Sequence, residues 1–72
     1  MEREELSFVI FCIENIAEKL NMTGEQAYDL LARQSNALNG YVLPCYDVLH
    51  TQGKEYVVND IIEFLNKSGV AV

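Results

Sequence analysis

Six consecutive apolar residues, Phe8-Val9-Ile10-Phe11-Cys12-Ile13, lie between a charged start (Glu2, Arg3, Glu4, Glu5) and the polar pair Glu14-Asn15. A one-sided surface helix shows an apolar stripe, not a continuous band. The run therefore requires cover on more than one side. In a chain of 72 residues little other material exists to supply it. Surface scaling gives a folded area of about 4,500 Å² against roughly 12,000 Å² unfolded, a marginal burial for a lone domain. The mismatch points to association, either with a second copy or with a different protein.

Around the run the periodicity is helical. Leu6, Val9, Ile10, Ile13, Ile16, Ala17 and Leu20 recur at three- and four-residue spacing, which predicts a first helix over about residues 4–20. Phe8, Phe11 and Cys12 widen its apolar face. Thr23 followed by Gln26 is a capping-box pattern, with Met22 and Ala27 placed as a hydrophobic staple. A second helix then runs to about Gln34, burying Ala27, Leu30 and Leu31. Residues 35–40 read as its termination and a loop, with Asn39 and Gly40 suited to left-handed backbone. A third, short helix is expected over residues 41–50. Pro44 is tolerated only in its first turn, so it starts at Tyr41 or later. The fourth spans about residues 53–67, with Thr51 as a cap and Gly69 as a left-handed stop. Val70-Ala71-Val72 reads equally as a frayed tail or a short docking strand. The expected fold is a compact all-α domain of four helices over residues 1–72, with helix 1 central.

Charge narrows the function classes. The formal net charge is −6, from 5 basic and 11 acidic residues. Nucleic-acid affinity depends on clustered Lys and Arg, and here Arg3, Lys19, Arg33, Lys54 and Lys67 are scattered. No stretch reaches the ~20 apolar residues that cross a bilayer, and no signal peptide is visible. A soluble cytoplasmic protein with two reduced cysteines, Cys12 and Cys45, is expected.

Candidate chemistry is sparse. Cys12, Cys45 and His50 are the only residues suited to a soft metal site, but structural zinc needs four ligands, usually in close-spaced pairs. Asp47, Asp60 and Glu63 fall on polar helix faces at ordinary spacing. No catalytic, cofactor or metal residues are assigned, and an enzyme is not expected. Tyrosine joins a large apolar body to a polar tip and is enriched at interfaces. Phe8, Phe11, Cys12, Tyr28 and Tyr41 are therefore the candidate interface residues. Leu49, His50, Thr51 and Gly53 form a candidate structural junction. In it Leu49 anchors the end of helix 3, His50 and Thr51 satisfy backbone groups, and Gly53 permits a sharp turn into helix 4.

Three segments carry a resemblance: Phe8-Val9-Ile10-Phe11-Cys12-Ile13-Glu14-Asn15, Met22-Thr23-Gly24, and the stretch from Tyr46 through Leu49-His50-Thr51-Gln52-Gly53 to Ile61. Together they resemble a family of short bacterial proteins catalogued as a domain of unknown function, with the motif Tyr-Asp-x-Leu-His-Thr-Gln-Gly. The resemblance covers nearly the whole chain, and its members are frequently encoded beside an ADP-ribosyltransferase-like protein. It implies a toxin–antitoxin-like pair in which this chain is the small neutralising partner. It carries over no catalytic residues, and Pro44 is unusual for the family at that position.

The leading expectation is a non-enzymatic helical interaction module that buries helix 1 against a protein partner or another copy, without nucleic acid, membrane or cofactor. The alternative is a small DNA-binding transcriptional regulator, since four short helices can include a helix-turn-helix. Against it, helix 2 carries only Arg33 and Gln34 near its end, and helix 3 has no Lys or Arg. A third reading, a small metal- or thiol-dependent catalyst, would use Cys12, Cys45 and His50.

Overall fold

The computed structural model describes residues 2–72. Among them the chain forms five helical segments and no strand: α1 (Arg3–Lys19), α2 (Gly24–Ala32), a π-helical turn (Leu38–Val42), a single-turn α3 (Tyr46–Leu49) and α4 (Lys54–Lys67). The all-α expectation holds, and the count of four does not.

The extra segment comes from the third predicted helix, which is split. Leu43 N–H donates to the Leu38 carbonyl at 2.9 Å, the five-residue reach of a π turn. Pro44 follows with no N–H to give, and its ring would collide with the Gly40 carbonyl in a continuous helix. The chain therefore turns through Leu43, Pro44 and Cys45 before α3 begins. Asn39 and Gly40, expected in a left-handed loop, lie instead inside the π turn. A Cβ on Gly40 would overlap the Asn36 side-chain amide. Helix α2 also stops earlier than its periodicity suggests, at Ala32 with Arg33 as its C-cap.

The helix ends follow capping chemistry. Gln26 N–H donates to Thr23 Oγ1 at 3.1 Å and Thr23 N–H to Gln26 Oε1 at 2.9 Å, completing the expected box. Glu2 N–H donates to Glu5 Oε1 at 3.0 Å at the start of α1. Two helices end in matching Schellman turns. After α1, Met22 N–H donates to the Ala17 carbonyl and Asn21 N–H to that of Glu18; after α4, Val70 N–H reaches Leu65 and Gly69 N–H reaches Asn66. Asn21 (φ 55°) and Gly69 (φ 88°) are the only residues with positive φ among those described. Val70, undecided between frayed tail and docking strand, follows the turn and packs against the core.

Helix α1 is central, as expected: it packs against both α2 and α4. Cys12, Ile16, Leu31, Val42, Val57, Ile61 and Leu65 are buried from four different segments. No polar or charged residue is buried among them. The solvent-accessible surface of 4610 Å² matches the ~4,500 Å² that scaling assigns to a self-contained monomer of this mass. The shortage of covering material inferred from the sequence is thus much smaller than the apolar run suggests.

Two glycine substitutions test the capping account. Gly69 lies at φ +88°, whereas Gly53 is an ordinary extended N-cap (φ −72°, ψ 161°) with open space around its α-carbon. Gly69→Ala should cost about 1–2 kcal/mol, lowering the melting temperature by roughly 4–16 °C. Gly53→Ala should shift it little, and Gly53→Asp should raise it by supplying the missing cap acceptor. Thermal melts by circular dichroism measure all three.

Candidate interaction face

The four-residue connection after α1 sends α2 back beside it. At 1.5 Å per residue the 17 residues of α1 span about 25 Å and the nine of α2 only about 13 Å. Helix α2 therefore runs along no more than the C-terminal half of α1. There Ala17 is buried and Leu20 packs against the core. Toward the N-terminus, Leu6 and Ile10 remain 49% and 47% exposed.

The opposite flank of α1 is covered by aromatic stacking. Phe8 and Phe11 stack at 5.8 Å, and Tyr46 of α3 meets Phe8 edge-on at 5.6 Å. Tyr46 stacks in turn on His50 at 4.4 Å, an interplanar angle of 9°. Such pairs contribute about 0.5–1.5 kcal/mol beyond their buried area. This ladder joins α3 to α1 and leaves both phenylalanines half-buried. Partial burial, and then the carboxylates of Glu4, Glu5, Asp47 and Glu2, push the Tyr46 phenol above its ordinary range.

The candidate interface residues therefore separate. Cys12 has no exposed surface and cannot meet a partner; burial pushes its thiol up to about 12. Tyr41 is half-buried, stacked on Phe64 at 5.0 Å. Tyr28 is 46% exposed and lines an open groove of about 850 Å³ between α2 and the chain end at Val70–Val72. Leu6 and Ile10 carry the open apolar surface of α1, and sequence reasoning missed them. It placed them in the buried stripe, because periodicity marks a face without saying how far a neighbouring helix extends along it.

At the 49–53 junction two side chains bond the carbonyls that end α3, and two expectations are corrected. Leu49 is buried. His50 Nδ1–H donates to the Tyr46 carbonyl at 2.7 Å, and Thr51 Oγ1–H to that of Val48 at 2.7 Å. Thr51 therefore closes α3 instead of capping α4, whose N-cap is Gly53. Gly53 does not use left-handed backbone, so its freedom does not make the turn. Gln52 is exposed, its amide 3.5 Å from Thr51 Oγ1. Cys12, Cys45 and His50 form no metal-holding group among the described residues. None of the described helices is long and apolar enough to cross a membrane.

Three measurements probe these environments. Thiol titration of the native protein at neutral pH should modify half-buried Cys45, with Cys12 reacting only on unfolding. The neutral Cys12 thiol is favoured in the folded state, so its stability contribution is intact below pH 9 and is lost as pH rises from about 9 toward about 12. That loss is up to ~1.4 kcal/mol per pH unit, and Cys12→Val should remove this component. Tyr46→Phe should leave stability within ~0.5 kcal/mol while Tyr46→Ala costs about 1–3 kcal/mol, read by urea denaturation.

No curated protein and no solved structure matches the chain. Residues 7–68, from the first turns of α1 through the C-cap of α4, match the family described as "Protein of unknown function (DUF3791)". The match takes in the apolar run, the capping box, the π turn and the 49–53 junction, and the chain belongs to that family.

Proposed function

We propose that this chain is a non-enzymatic helical interaction module that docks a protein through the open N-terminal half of α1. The observation that carries the reading is the pair Leu6 and Ile10, one helical turn apart and each about half exposed. Aliphatic side chains left open on a helix whose other apolar side chains are buried or half-buried are a surface that association would bury. Half-buried Phe8 and Phe11 lie on the opposite flank with Tyr46, outside this contact. The earlier candidates Cys12 and Tyr41 belong to packing within the chain. Tyr28, on α2, would contribute only to a contact that extends to that helix.

Resemblance to short proteins encoded beside ADP-ribosyltransferase-like neighbours supports a narrower version, in which the partner is such a toxin and this chain neutralises it. An acidic chain with net charge −6 suits a basic surface on that partner. The rival reading, a DNA-binding regulator, needs a basic recognition helix. In α2 the one nearby arginine, Arg33, lies 3.8 Å from Asp29, and α3 carries none.

The test is co-expression of the tagged chain with the product of the adjacent gene, followed by affinity capture and light scattering. The wild-type chain should retain that product in a defined ratio. Leu6→Asn with Ile10→Asn should reduce capture at least tenfold, a loss of about 1.4 kcal/mol or more. Equal capture by the double variant would move the interface elsewhere, and a strictly monomeric chain with no capture would refute the reading.

A further inference from the structure

We infer that the open half of α1 pairs antiparallel with the same segment of a second copy, Leu6 of each against Ile10 of the other. The inference rests on the reading of α1 as an interaction face and specifies the occupant. Leu6, Ile10, Ile13, Ala17 and Leu20 are spaced four, three, four and three residues apart. That is the seam spacing of helices that pack side by side. Its C-terminal members, Ala17 and Leu20, are packed within the chain's own core. The same seam is left open at Leu6 and Ile10.

Charge selects the direction. Arg3 and Glu14 are eleven residues apart, so they lie within about 20° of one line on the helix. That line runs beside the seam. Neither residue makes an ion pair within the described chain, where Arg33, Lys54 and Lys67 find Asp29, Glu18 and Glu63. A twofold axis near Phe8 sets Leu6 against Ile10 and brings Arg3 level with Ile13 and Glu14 of the second copy. Two equivalent Arg3–Glu14 pairs result. Glu2 lies about 120° around the helix from Glu14, on the other edge of the seam. A parallel pairing would put the two Arg3–Glu14 lines on opposite edges of the seam, so that no Arg3–Glu14 pair forms.

Shape selects the same direction. Helix α2 flanks the C-terminal half of the seam. Parallel helices would bring the two α2 segments against each other. Antiparallel helices meeting only over the first turns place them at opposite ends. The apolar area is half of two aliphatic side chains per copy, well below the ~1,200 Å² of a standard stable interface. The pair is therefore weak and concentration-dependent, with the charges setting its orientation.

Sedimentation equilibrium of the full chain from about 20 µM to about 2 mM tests this, using a range where weak self-association is visible. The wild-type protein should shift from monomer toward dimer across it. Arg3→Glu alone and Glu14→Arg alone should each raise the dissociation constant about tenfold, the effect of ~1.4 kcal/mol. The two together should restore it to within about threefold, because the pair is merely exchanged. Ile10→Asn should leave a monomer whose circular dichroism and melting remain those of a folded chain. If it unfolds, Leu6→Asn replaces it. A wild-type chain that stays monomeric throughout overturns the inference, as does a dimer indifferent to Ile10→Asn or not restored by the charge exchange. A monomer that still captures the adjacent gene product through Leu6 would overturn self-pairing and leave the interaction reading standing.

Discussion

The length mismatch between α1 and α2 governs the arrangement. A 17-residue helix rich in apolar side chains is followed, through a tight Schellman turn at Asn21, by a helix about half as long. The returning helix seals the C-terminal half of α1 and cannot reach the rest. The N-terminal half depends on whatever the remaining segments bring. One flank receives Tyr46 from α3, edge-on to Phe8. The flank holding Leu6 and Ile10 receives no complete cover. The position of the open surface thus follows from chain geometry and not from an excess of hydrophobic residues.

That geometry explains a chain that is well packed yet carries a specific exposed pair. Fifteen apolar residues are buried, and no buried side-chain N or O among the described residues lacks a hydrogen-bond partner. This core is closed from within the chain, and the proposed association through α1 would use its surface. The expectation of a partner is drawn from the six-residue run as a whole, and the structure covers that run unevenly. The run is enclosed at Val9 and Cys12, half-covered at Phe8, Phe11 and Ile13, and open at Ile10.

Local signals were legible in the residues where chemistry is local. The Thr23–Gln26 box, the Met22 position before it, Gly69 after α4 and the inward set Val57, Ile61 and Leu65 all stand where periodicity and capping rules put them. The segment from Asn36 to Cys45 was not legible. Its split into a π turn and a single α-helical turn depends on how Pro44 interrupts bonding begun at Leu38, a competition that spacing does not resolve. The left-handed residue at Asn21 was hidden because the same stretch also carries the stronger N-cap signal of the next helix. The open face was misplaced for a different reason. Residues 6, 9, 10, 13 and 16 share one periodic pattern, but their burial is decided by where α2 stops and where Tyr46 arrives. Both are tertiary facts.

The central claim is that Leu6 and Ile10 are the open apolar side chains of α1, its others being buried or half-buried. Solvent paramagnetic relaxation of side-chain methyl groups, recorded on dilute wild-type protein, tests it most directly. The methyls of Leu6 and Ile10 should relax strongly with a soluble paramagnetic probe, while those of Ile16, Ile61 and Leu65 remain protected. Protection of Leu6 and Ile10 equal to that of Ile16 in a monomeric sample would contradict the account.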